Sequence, residues 1–290
     1  MALPGSGQIS LNDIATEYGG SAPHQLSEYH DKGNAPASGE IQIAADFYGT
    51  SNIFTYTIAS NTTNVNLRTA ATSAGWDGSA ILQATINSGV TVYSTSTGSY
   101  AMTIDGGSFP TSSYLINNGT ILGAGGGGGS AWSDQYGCGG GNTKTDGASG
   151  GPGLLISNPM TINNSSGRIS GGGGGGGTGG TYGNWGTGGG GGGGCGNGPG
   201  GYSQRAGNGA AGSLTGGGSG GGGYNYNGNG CPPGTWTGPG GSGGGYAAGG
   251  AAGNPGSGWN PRPGGSGGAA TSGNSNVTWS GNGTINGSQG

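Results

Sequence analysis

Glycine runs at 125–129, 171–177 and 188–194 constrain this 290-residue chain more than any other feature. The stretch from 123 to 290 holds 70 of the 84 glycines, so more than two residues in five there carry no side chain. Glycine loses the most backbone freedom on ordering and buries almost no apolar surface in return. Such composition by itself describes a linker or a disordered tail. The residues between the runs argue otherwise. Trp132, Leu154, Ile156, Trp185, Tyr202, Tyr224, Trp236, Tyr246 and Trp279 recur along the stretch, whereas linkers selected for solubility and reach are poor in aromatics. The segment reads as a scaffold that displays large side chains.

One physical route orders long glycine runs. Polyproline II geometry is open to glycine, turns every three residues, and points backbone N–H and C=O groups sideways without an internal partner. Several such strands packed together would satisfy those groups, and only glycine permits the close approach. Collagen is excluded, because there is no strict Gly-X-Y period and proline contributes only 13 residues. A lattice of polyglycine strands and an array of glycine-rich loops are the two readings this leaves.

The chain ahead of the glycines has a different character. In residues 1–50, Ser10 followed by Asp13 predicts a short helix over Leu11 to Tyr18, stopped by Gly19-Gly20. A loose second copy of this motif runs from Pro36 to Gly49. A unit this small folds poorly alone, which points to docking on a partner or on copies of itself. Residues 52–122 alternate with period two and are rich in Thr, Val, Ile and Tyr. Strands are expected at 54–58, 65–70, 80–86, 91–93, 99–104 and 114–116, with turns at 75–78, 87–89, 106–107 and 117–119. This is an all-β unit, either a sandwich or a β-helix.

A repeat crosses into the glycine region. Tyr114-Leu115-Ile116-Asn117-Asn118-Gly119-Thr120-Ile121-Leu122-Gly123 is echoed by Met160-Thr161-Ile162-Asn163-Asn164, then Gly167-Arg168-Ile169-Ser170-Gly171, and more weakly by Asn276 to Gly287. Units of strand, Asn/Gly turn, short strand and polyglycine suggest a solenoid whose coils emit glycine-rich excursions. The organisation expected is therefore 1–50 as an attachment segment, 51–122 as a small all-β domain and 123–290 as the glycine-rich domain, with very little α-helix.

Charge and reactive groups restrict function. Only 6% of residues are charged and the net charge is -4; residues 123–290 carry a formal +2, which is no footprint for nucleic acid. No basic start with an apolar run marks a signal peptide, and no apolar stretch is long enough to span a bilayer. Synthesis in the cytoplasm without membrane insertion is expected. Cys138, Cys195 and Cys231 are odd in number and read as free thiols, with one disulfide as the alternative. Their spacing, with no histidine nearby, is a poor zinc set, and His24 and His30 read as ordinary packing or surface residues. Neither lysine stands in a phosphate-loop motif, and no Gly-x-Ser-x-Gly element has a histidine partner. No enzyme and no cofactor are expected.

The start of the chain, the 36–48 echo, the block from Asn64 through Gly123 and the closing Gly273 to Trp279 resemble tailed-phage virion proteins, above all tail-tip and receptor-binding proteins with glycine-rich distal adhesin domains. The resemblance implies an adhesin at the tip of a tail or fibre that recognises a bacterial surface protein or glycan. It would join other phage tail proteins through residues 1–50 and assemble as a homo-oligomer, a trimer being favoured. In such adhesins polyglycine II strands form a sandwich and aromatic loops between them touch the receptor. Transferred here, the loops are 131–138, 181–186, 202–206, 224–231, 235–237 and 258–262, and the contact residues are Trp132, Tyr136, Tyr182, Trp185, Tyr202, Arg205, Tyr224, Tyr226, Trp236, Trp259 and Arg262. The glycine runs here are broken more often by Ser, Asn and Pro, and a β region precedes them, so a β-helical trimer competes with the lattice. A structural virion protein without receptor contact is the alternative function.

Overall fold

The computed structural model describes residues 2–133, 142–181, 188–226, 235–258 and 260–290. Near its start, helix α1 (Leu11–Tyr18) forms where Ser10 and Asp13 predict it. Ser10 Oγ accepts from the Asp13 amide and the Asp13 carboxylate accepts from the Ser10 amide at 2.8 Å, while Gly19, at φ 78°, ends the helix. The echo yields a shorter helix, α2 (Ile43–Phe47), in which the Asp46 carboxylate accepts from the Gln42 amide at 2.7 Å. Leu3, Ile14, Tyr29, Ala35 and Phe47 close over one another as a small core of their own. Tyr18 and Tyr29 each meet Phe47 in a T-shaped ring contact.

From residue 53 the chain winds into coils. The first is β1 (Ile53–Ile58), β2 (Thr62–Thr63) and β3 (Val65–Asn66), followed by helix α3 (Leu67–Ser73) on its flank. The second is β4 (Ile81–Ile86), β5 (Thr91–Tyr93) and β6 (Met102–Ile104). The third is β7 (Tyr114–Asn117) and β8 (Thr120–Leu122), which then leaves the coil, passes through the hairpin β9 (Ala131–Ser133) and β10 (Asn142–Lys144), and returns as β11 (Leu154–Ile156). The fourth, β12 (Met160–Asn163) and β13 (Arg168–Ser170), leaves at the same corner. It passes through a second hairpin, β14 (Asn225–Tyr226) and β15 (Thr235–Trp236), before returning as β16 (Thr271–Ser272). β17 (Val277–Gly281) and β18 (Thr284–Asn286) finish the stack.

Three parallel sheets result, in the orders β1-β4-β7-β12-β17, β2-β5-β8-β13-β18 and β3-β6-β11-β16. This is a parallel solenoid; of the two β architectures the alternation allowed, the sandwich does not form. Inward residues stack coil on coil, for example Val92, Ile121, Ile169 and Ile285. Each fully buried Leu or Ile contributes about 1.5–3 kcal/mol. The solenoid does not stop at residue 122, because 154–170 and 271–286 supply strands to the same three faces. One expected strand, 65–70, is instead mostly helix: the Asn66 side chain caps the Thr69 amide at 2.9 Å, and Leu67 and Ala71 bury one helical face. The Asn/Gly echo is also shifted by one residue from its sequence alignment, so that Leu115 lies beside Ile162 and Asn117 reaches Asn164.

Both excursions are bundles of extended glycine strands. Strand 171–177 shows their plan. Its amides at 172 and 175 donate to Gly151 and Ala148, those at 173 and 176 to Cys195 and Gly192, and those at 174 and 177 to Ala248 and Ala251, at 2.8–2.9 Å. Its carbonyls accept in the same rotation: 173 and 176 from Gly126 and Gly129, 174 and 177 from Gly244 and Gly241, 172 and 175 from Gly268 and Gly265. The pattern repeats every third residue and surrounds the strand with six neighbours. Strand 189–196 is enclosed in the same way, donating to 238–244, 207–213 and 126–129 and accepting from 173–179, 198–201 and 218–221. A Cβ at Gly172, Gly175 or Gly176 would collide with the carbonyl of Ala124, Gly127 or Gly241. The runs are glycine because neighbouring backbones occupy the space of a side chain.

Candidate receptor-binding surface

The strands run alternately away from the solenoid and back, which follows from the rise or fall of partner numbers along them. Turns at 196–198, 213–216 and 245–248 lie at the solenoid end. The strand ends at residues 129, 180, 202, 223 and 254 lie at the opposite end, and among the described residues Trp132, Tyr202, Tyr224 and Trp236 stand beside them.

Glycine gives way to Ser and Thr at that far end, and these hydroxyls tie the connections together. Ser130 Oγ accepts from the Tyr202 amide at 3.0 Å, and the Ala131 amide donates to the Tyr202 carbonyl at 2.9 Å. Ser203 Oγ donates to the Gly188 carbonyl at 2.8 Å and accepts from the Ala206 amide at 3.1 Å. Thr237 Oγ1 accepts from the Tyr224 amide at 2.9 Å, and Ser257 Oγ accepts from the Trp236 amide at 3.1 Å. Buried Thr178, Thr181, Ser203 and Thr237 belong to this layer. Sequence reasoning passed over these residues. Their signal was position, a hydroxyl at or near the end of a glycine run.

The backbones are held while the rings face solvent. Trp132, Tyr202, Tyr224 and Trp236 are 40%, 54%, 48% and 46% exposed. Trp132 lies across the first hairpin from Thr143, and Trp236 across the second from Asn225. Arg205 is half-buried, whereas Arg262 is exposed with Nε 3.7 Å from an Asp146 carboxylate oxygen. Lys144 Nζ donates to Thr181 Oγ1 and the Asn260 carbonyl, both at 3.4 Å; burial, then the nearby Arg262, pulls its pKa below the ordinary lysine value. Tyr226 stands in β14 at the same end. Tyr136, Tyr182, Trp185 and Trp259 lie outside the described residues, as do Cys138 and Cys231.

The root of the bundle holds a buried thiol and a paired arginine. Cys195 is a free, buried thiol whose pKa burial pushes up to about 11. The Arg168 guanidinium sits 4.1 Å from the ring centroid of Tyr246 and donates to Asn286 Oδ1 at 3.2 Å. Among the described residues no three of His, Cys, Asp and Glu converge as a metal set.

No curated protein matches the chain. A crystal structure of the gp37-gp38 adhesin tip complex of the bacteriophage S16 long tail fibre matches its fold, with a TM-score of 0.55 at 24% identity, covering 98% of this chain and 99% of that one. The family profile for the phage tail fibre adhesin Gp38 matches residues 53–290, the whole solenoid with both glycine excursions. The chain belongs to this family of phage tail fibre adhesins, receptor-binding components of the virion tail.

Proposed function

We propose that the far end of the glycine bundle is the receptor-contacting surface and that it works by noncovalent binding without chemistry. The observation that carries this reading is the combination of exposed Trp132, Tyr202, Tyr224 and Trp236 rings with hydrogen-bonded backbones. A ring fixed before contact loses little freedom on binding and buries a large apolar area, the property of residues that dominate interfaces. The strands themselves are best read as polyglycine II: a three-residue hydrogen-bond rotation is what a threefold extended helix demands. The receptor is a bacterial surface protein or glycan, and contacts repeated over a virion would add avidity.

Residues 1–50 are the segment we assign to attachment. They carry their own small core, and the family profile starts only at residue 53. The matched S16 structure is a complex of gp38 with gp37, and an equivalent fibre protein is the partner proposed here.

The test is substitution of Trp132 and Trp236 by alanine in the virion. Particles that assemble normally but adsorb to host cells roughly ten to a hundredfold more slowly support the reading. Normal adsorption by both variants would overturn it, and failed assembly would assign the rings to packing inside the tail.

A further inference from the structure

Strand 123–129 is enclosed on only part of its circumference. Its amides at 123, 126 and 129 donate to carbonyls of 170–176, and those at 125 and 128 donate to Gly196 and Pro199. The third set, Ala124 and Gly127, meets no acceptor among the described residues; Gly127 is half-buried, but Ala124 is only 5% exposed. Buried amides are almost always paired, so an unpaired one points to a missing partner. Ala124 and Gly127 line a groove of about 460 Å³ between the bundle and the solenoid loop after β5. Tyr93, Thr95, Ser96 and Thr97 form one bank, Asn197 and Pro199 the other, and no lining residue is charged.

Gly127 strengthens the case. Every other glycine of this strand would drive a Cβ into a neighbouring backbone, which explains it fully. The nearest neighbours of a Cβ at Gly127 are all atoms of Pro199, Cγ at 3.4 Å and Cδ and the carbonyl oxygen at 3.8 Å, which is ordinary contact. Strand packing does not require glycine there; what its missing side chain preserves is the open groove.

We propose that this groove is a second binding site, separate from the far end, that takes an uncharged saccharide. Two amide donors with no acceptor, a bank of hydroxyls and a tyrosine ring suit a ligand whose hydroxyls both accept and donate and whose ring carbons give an apolar face. An anion or cation would find no opposite charge, and a hydrocarbon would leave the amides unpaired. An extended peptide could pair with the amides but would make little use of the hydroxyl bank. The proposal rests on the adhesin reading, because a surface saccharide is what such a protein meets beside its receptor.

The test uses purified full-length protein on an array of bacterial surface oligosaccharides, with titration of those that bind. The expected result is an uncharged oligosaccharide whose binding is weakened at least roughly tenfold by Gly127→Leu and less by Thr97→Val. Both variants should keep the parent melting temperature, and Trp236→Ala should leave oligosaccharide binding intact. If no uncharged oligosaccharide binds, or if Gly127→Leu binds as well as the parent, the proposal fails. Displacement of the bound sugar by a glycine-rich peptide with equal sensitivity to Thr97→Val would also overturn it, in favour of strand addition. Loss of cell adsorption in Trp236→Ala reports on the far end alone, so the two readings fail separately.

Discussion

Asn117 Nδ2 donates to Asn164 Oδ1 at 2.7 Å inside the solenoid, joining the coil that sends out the first glycine excursion to the coil that sends out the second. The same Asn117 amide also donates to the Arg168 carbonyl at 3.1 Å, and its Oδ1 accepts from the Gly119 amide at 3.2 Å. Both asparagines are fully buried. Asn117→Ala therefore strands a backbone amide and a side-chain acceptor together, and should lower stability by about 2–3 kcal/mol. Denaturant unfolding followed by circular dichroism would measure this; a loss below about 0.5 kcal/mol would mean that water replaces the bridge.

Alanine substitutions of glycine should divide sharply by position. Gly175→Ala sets a methyl group against the Gly127 carbonyl in the most enclosed strand, and is expected to prevent the bundle from forming. Gly222, exposed and with nothing within 4 Å of an added Cβ, should accept alanine within about 0.5 kcal/mol or gain slightly through a less flexible unfolded chain. Thermal melts of the two variants side by side provide the check, and equal behaviour would contradict the enclosed arrangement.

Much of this was legible in residues and some could not have been. Ser10 with Asp13, the Asn/Gly turns and the alternating strands carry side chains, so propensity, capping and periodicity could be read from them. The aromatic clusters between glycine runs marked the connections, and Trp132, Tyr202, Tyr224 and Trp236 do stand exposed at one end. Which glycine strand neighbours which was not readable, since a run such as 171–177 has no pattern to set register or direction. The solenoid's extent was obscured for a related reason: β11 and β16 return only after long excursions, so the pairing of β11 with β6 and of β16 with β11, each across dozens of residues, leaves little local trace. At 65–70 the alternation of Val65 and Leu67 favoured a strand, while the cap at Asn66 and the buried Leu67 and Ala71 face decided for helix.

Ser257 offers a graded test of positioning at the far end. Its Oγ accepts from the Trp236 amide and its own amide donates to the Trp236 carbonyl at 3.0 Å. The Oγ also donates to the Trp236 carbonyl at 3.3 Å, so Ser257→Ala removes both side-chain bonds and keeps the one from the backbone amide. Adsorption should slow by about two- to tenfold, less than for Trp236→Ala, with melting within a few degrees of the parent. A Ser257→Ala effect as large as that of Trp236→Ala would mean that the serine itself touches the receptor.

Attachment through these rings should depend weakly on salt. The region from 123 onward carries four cations and two acids, and Arg262 is already beside Asp146. Screening acts mainly on exposed charges, so equilibrium binding to receptor-bearing cells should change less than about threefold between 10 and 150 mM salt. A steep decline would move the main contact from the rings to Lys144, Arg205 and Arg262.

Cys195 should be silent toward alkylation in the folded protein. Burial pushes its thiol up to about 11, so at pH 8 roughly one molecule in a thousand is thiolate, and that one is shielded. Iodoacetamide treatment with peptide mapping should find Cys195 unmodified in native protein and fully modified in denaturant. Native labelling would show that the bundle opens at its root.

The hydrogen bonds of the glycine strands run across the strand direction, and each outgoing strand is followed by one that returns toward the solenoid. A cell held at the far end while the virion pulls from the other would load those bonds in shear, with many strained at once and none exposed to be opened in sequence. The force then enters the solenoid through continuous backbone at Leu122-Gly123 and Ser170-Gly171, adjacent strands of one sheet that share it through the parallel ladder of β8 and β13. Resistance to such a pull is set by how fast the fold comes apart rather than by its equilibrium stability. A bundle almost without side chains is in this sense a tether, stiff along the line on which a bound particle is dragged.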